Sequence, residues 1–157
     1  MVDWNESEVL VDRKSKFQAR CCPLKNQDDI PKILHELMAN KSIVKSSHPH
    51  MYAWRTADLS TNESNNKDTT TKGKNKKNNA KASSIIQVPK NIQQGCFDGG
   101  ESGAGQRLLT LLERSNIFNV MIIVTRWYGG TPLGSARFRH ISSTAVESLR
   151  RAGFLPR

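Results

Sequence analysis

The chain has 157 residues, 36% of them hydrophobic, and a formal net charge of +10, which suits one domain able to bury its own core and leaves no room for a second full domain. Its three cysteines, Cys21, Cys22 and Cys96, give neither a disulfide framework nor a zinc spacing, so a reducing compartment is expected. The opening "MVDWNESEVLV" lacks the basic and apolar regions of a leader, and no run approaches the roughly 18 apolar residues of a membrane span, so the expectation is a soluble, intracellular chain.

In chain order, Glu8 to Leu24 offers two extended stretches, "EVLVD" and "KFQARCCPL", around "RKS", which suits a hairpin. "NQDDIPKILHELMANK" opens on capping residues Asn26 and Asp28, carries Pro31 in its first turn and spaces Ile30, Ile33, Leu34, Leu37 and Met38 along one helical face. "HMYAWRT" returns to strand. Residues 61–82, "TNESNNKDTTTKGKNKKNNAKA", hold six lysines against Glu63 and Asp68, which places +4 of the +10 in one polar stretch without an aromatic residue or an aliphatic one larger than alanine. Such composition cannot offset the entropy of ordering, so a disordered insertion is expected there, its lysines serving solvation or a nucleic-acid arm.

"SIIQVP" suits another strand, and "FDGGESGAGQRLLTLLERSN" runs from glycines into a helix with Leu108, Leu109 and Leu112 on one face. "NVMIIVTRW" is the strongest strand in the chain. "GSARFRHISSTAVESLRRAG" closes as an amphipathic helix burying Phe138, Ile141, Ala145 and Leu149, with Gly153 as its stop. The sum is a two-layer α+β domain, a sheet with helices on one face.

Two constellations carry chemistry. In Gly100, Glu101, Ser102, Gly103 and Gly105 the glycines precede a helix whose first N–H groups lack partners, which makes an anion site geometrically easy; the alternative is a tight turn letting helix and sheet approach. There Glu101 would cap backbone donors as a helix-end carboxylate. In the strand, Ile122, Val124 and Arg126 share one face while Met121, Ile123, Thr125 and Trp127 share the other. Arg126, Trp127 and Tyr128 then mark where the strand leaves the core, before Gly129 and Gly130. They form either a rim closing that core or, with Tyr52, Trp54, Arg55, Arg137 and Arg139, a face that stacks on unpaired bases and pairs with phosphate. His48 and His50 lack further ligands for a metal, no nucleophile sits in an elbow, and Cys96 has no activating partner. Neither catalysis, a metal nor a cofactor is expected.

"DRKSKFQA", "YAWR", "GESGAGQRLLTLLE" and "NVMIIVTRWYGGTPLGSARFRHI" resemble the signature blocks of the IMPACT family, which includes the bacterial YigZ proteins. The resemblance runs from about Val11 to Arg151, interrupted by the polar stretch, and is nearer the eukaryotic branch. It implies the fold of the second domain of a small-subunit ribosomal protein and of domain IV of elongation factor G, and a role connected to translation. Eukaryotic members restrain the starvation-responsive kinase of an initiation factor through an N-terminal RWD domain, which is not expected here with ten residues ahead of Val11. Where the family shows an acidic pair before its glycine-glutamate, Asp98 is followed by Gly99, and His48 and His50 straddle the position of a single family histidine. The expectation is a cytoplasmic, non-enzymatic binding protein contacting RNA or a ribonucleoprotein surface, with no membrane contact. The alternatives are a protein-binding regulator of the kinase pathway, or a phosphate- or nucleotide-binding protein.

Overall fold

A computed structural model describes residues 2–61 and 87–156; apart from Thr61, the lysine-rich stretch 61–82 lies outside them. The chain divides into two compact units, 1–56 with 93–157, and 57–92. Within the second, the described residues are the outer parts of two neighbouring strands, where Asn91 Nδ2 donates to Asp58 Oδ2 at 2.7 Å.

Six strands form one sheet: β1 (Asn5–Glu6), β2 (Leu10–Asp12), β3 (Ser15–Pro23), β4 (His48–Thr61), β5 (Gln87–Phe97) and β6 (Val120–Trp127). Their order is β1-β3-β6-β4-β5, with β2 on β3. The expected hairpin is β2–β3: Asp12 opposes Ser15, so the loop is Arg13-Lys14, both with positive φ, 47° and 70°. Two consecutive left-handed residues match the twist of the flanking strands. The Asn26 side chain accepts from Asp28 N at 2.8 Å, capping a 3-10 turn that leads into α1 (Ile30–Leu37), with Pro31 in the first turn. A short α2 (Lys41–Val44) follows under an Asn40 cap, so the helical window expected as one piece is two. "SIIQVP" contributes only its end to a much longer β5, whose partner is β4. The helices α3 (Ala104–Arg114) and α4 (Ala136–Arg151) stand where the periodicity put them.

β6 is the centre of the first unit, paired antiparallel with β3 on one side and β4 on the other. Its two-residue period splits the core. Ile122 and Val124 join Phe17, Ala19, Cys21, Met51 and Ala53 beneath Leu108, Leu112, Ile141, Ala145 and Leu149 of α3 and α4. Met121 and Ile123 join Cys22, Leu24 and Trp54 beneath Ile30, Ile33 and Leu37 of α1 and Ile43 of α2. The α+β class and the face shared by α3 and α4 are as expected, but the helices do not all lie on one face. A two-layer fold would leave the second face less covered. That face carries α1 and α2 at the end of the sheet where Cys22 and Met121 pair, and it is open where Lys16 pairs with Trp127.

Candidate functional site

The C-terminal end of β6 puts consecutive residues on opposite faces, and each enters a different environment. Trp127 lies opposite Lys16 of β3, and its Nε1 donates to the Ser42 carbonyl of α2 at 2.9 Å. Between α2 and the β2–β3 hairpin the second face forms a groove of about 820 Å³. Its lining includes Trp127, Lys14 from the hairpin turn, Lys16 from β3, Lys41 from α2 and Lys45 at the C-cap of that helix, with Val9 and Val11 at its edge and, among the described residues, no carboxylate. Val9 and Val11 are exposed. Four lysines and a half-buried indole thus share one groove.

Arg126 turns the other way and is buried. Its guanidinium pairs with Glu101, reaches Ser15 Oγ at 3.3 Å, and lies 5.2 Å from the centroids of both the Phe17 and Tyr128 rings. The second Glu101 oxygen meets Arg137 Nε at 2.9 Å, and His48 Nε2 stands 3.6 Å from the first. Glu101, expected to cap the helix, is instead the shared partner of two arginines with His48 beside them, itself buried.

The capping carboxylate at α3 belongs to Asp98. Its Oδ1 accepts from Gly105 N at 2.8 Å and its Oδ2 from Gly103 N at 3.1 Å, so an internal anion already occupies the glycine loop. The tight-turn reading also has its contacts: a Cβ on Gly105 would stand 2.8 Å from the Phe97 backbone, and Gly100 and Gly103 take φ of 95° and 88°, conformations that glycine adopts without strain. Ser102 is exposed beside them.

The remaining expected contact residues are dispersed. Arg55 is buried, donating from Nε to Gln94 Oε1 at 2.9 Å and stacking 4.2 Å over Phe118. Its Nη1 reaches the carbonyls of Leu112 and Ile117 at the end of α3, a cation placed at a helix C-terminus. Trp54 is buried in the second cluster. Tyr52 is half-buried with its ring 5.5 Å from that of Phe97, and burial, then the nearby Cys96, pushes its hydroxyl pKa up. Tyr128 and Arg139 are exposed. The structure therefore gathers Arg126, Tyr128 and Arg137 around Glu101, sets Trp127 across the sheet from them, and commits Arg55 and Trp54 to the core rather than to an outer face. Sequence pattern did not single out Lys14, Lys16, Lys41 and Lys45. Period-two alternation could have put Lys16 opposite Phe17, but only the strand register sets it beside Trp127.

The Impact N-terminal domain family matches residues 13–149. The chain is 68% identical to the IMPACT family member YDL177C of Saccharomyces cerevisiae, across 98% of this chain and 94% of that protein. It is 32% identical to Protein IMPACT-B of Xenopus tropicalis, across 94% of this chain and 37% of that one. Among solved structures it resembles the two-domain translational regulator Yih1, with TM-score 0.56 and 30% identity, across 96% of this chain and 47% of that one. The chain thus spans less than half the length of the last two relatives.

Proposed function

The chain belongs to the Impact N-terminal domain family, and from that membership we propose that it is a non-enzymatic, cytoplasmic module of translational regulation that contacts RNA or a ribonucleoprotein surface through the groove beside Trp127. The likeness to a translational regulator supports the cellular role. The observation that carries the contact surface is the groove itself: four lysines line it and, among the described residues, no carboxylate does. Ammonium groups neutralise backbone phosphates and release their counterions, while an indole offers a face on which a base stacks regardless of sequence, worth about 1–3 kcal/mol per base. Among the described residues no helix is long and apolar enough to cross a membrane.

Fluorescence anisotropy with a labelled structured RNA tests this reading. The logarithm of affinity falls linearly with the logarithm of salt concentration, and each groove lysine reversed in charge flattens the slope, by roughly 0.7 to 0.9 for every phosphate no longer neutralised. An absence of binding at low salt, or a slope indifferent to Lys16→Glu and Lys41→Glu together, overturns it. The exposed Val9 and Val11 beside the lysines favour a second reading, an acidic, partly apolar protein partner. That partner would survive nuclease treatment in an affinity purification, whereas RNA would not.

A further inference from the structure

On the α3–α4 face the end of β6 borders a second hollow, of about 420 Å³, whose lining includes Ser47, His48, Glu101, Arg126, Tyr128 and Arg137. We infer that this hollow is a binding site for a phosphate group, separate from the lysine groove and resting on none of its residues.

Charge supplies the first argument. Glu101 is one carboxylate set between two guanidiniums, with His48 beside it, so the cluster carries surplus positive charge. The Arg126 side chain is only 4% exposed, its Nε has no hydrogen-bond partner, and a buried cation without full compensation is costly. Glu101 repels an incoming anion, but both of its oxygens are already engaged by arginines, which leaves the remaining charge to face the opening.

Preorganisation supplies the second. Ser15, Phe17 and Tyr128 fix the Arg126 guanidinium. Arg137 is held through Nε by Glu101 and through Nη1 by the Gly134 carbonyl at 2.7 Å, and its side chain is 27% exposed, so its remaining nitrogen, Nη2, is the one left for a phosphate oxygen. Ser47 Oγ accepts from Tyr128 N at 2.9 Å, which leaves its own proton to donate. The adjoining glycine loop offers no such vacancy, because Asp98 fills it. Phosphate carries nearly two negative charges near neutral pH, enough to complete the cluster, and the exposed Tyr128 ring at the mouth leaves room for an ester.

The test is calorimetric titration of the whole chain with inorganic phosphate, adenosine monophosphate and adenosine. Phosphate and the monophosphate bind saturably and adenosine does not. Arg137→Gln weakens both by about tenfold, while Lys16→Glu with Lys41→Glu, which abolishes groove contacts, leaves both unchanged. A monophosphate tighter than phosphate identifies an ester as the source, and equal affinities identify the free ion. In the unaltered chain, phosphate shifts the ring resonances of His48 and not those of His35. Absence of saturable binding at millimolar phosphate, equal binding of adenosine, or indifference to Arg137→Gln overturns the assignment, whatever the groove does with RNA.

Discussion

Gly129 and Gly130 are adjacent and are glycine for different reasons. A Cβ on Gly129 would lie 2.2 Å from the Lys14 carbonyl carbon and 2.5 Å from Ser15 N, where the β2–β3 turn crosses, whereas at Gly130 it would meet nothing and the constraint is a φ of 94°. Gly129→Ala must therefore move backbone and is expected to cost upwards of about 2 kcal/mol. Gly130→Ala pays only for its left-handed conformation, about 1 kcal/mol, and asparagine recovers part of it. Urea unfolding ranks the two, and equal losses would contradict the close approach. Glu101→Gln leaves the buried Arg126 without its anion and is expected to destabilise by about 3 kcal/mol, read from the same unfolding midpoints. The thiols divide by burial: it pushes Cys21 up to about 11 and Cys22 up to about 12, while Cys96 is exposed. Iodoacetamide near pH 8 should alkylate Cys96 alone until the chain is unfolded, because the thiolate is the reacting species. Mass spectrometry that finds Cys21 modified in the folded chain would refute that division.

At the scale of elements, each end of α3 is satisfied by a side chain from elsewhere in the fold. Asp98 takes donors at its start and Arg55 reaches carbonyls at its end. Asp98→Ala should lower stability by about 1 kcal/mol, the usual worth of a cap, and should speed amide exchange in the first turn of α3. The β2–β3 hairpin is tied to α4 by His140, whose Nε2 meets Asp12 Oδ2 at 2.7 Å. That hydrogen bond, and then the nearby Arg13, holds the Asp12 carboxyl below its ordinary value of 3.8 against the opposing effect of burial. Folded Asp12 thus binds its proton less readily than unfolded Asp12. Its contribution is complete above the ordinary carboxylate value and fades as the pH falls through the lowered one. The stability gap between the natural chain and Asp12→Asn should accordingly narrow between about pH 5 and pH 3. A gap constant across that range would show that Asp12 acts only by packing.

At the scale of the whole molecule, the sheet separates two cationic regions by the pleat of a single strand. Trp127 faces a groove lined by four lysines, and Arg126 faces a carboxylate paired with two arginines and approached by His48. Lysines open to solvent can exchange counterions for phosphates, so RNA affinity should track salt, whereas stability of the Glu101 cluster should be nearly insensitive to it because burial shields the pair from screening. Parallel salt series on RNA binding and on the urea midpoint would separate the two. Had both regions stood on one face, a single charge reversal would perturb binding and folding together.

The helices α1, α3 and α4, the two apolar stripes of β6, the hairpin and the family blocks were legible, because periods of two and 3.6 are written in consecutive residues, whereas β1 and α2 are too short to carry a period. That Arg126 and Trp127 diverge was legible too. What those side chains meet was not: it depends on β3 lying beside β6 in one register, on α1 docking against the second face, and on Glu101 arriving 25 residues away along the chain. Local pattern fixes which way a side chain points. Only tertiary packing decides whether a charge there finds water or an opposite charge, since desolvation is set by what the rest of the chain places over it, and that is why Arg55 and Arg126 became internal partners while four lysines of no distinctive spacing became the exposed surface.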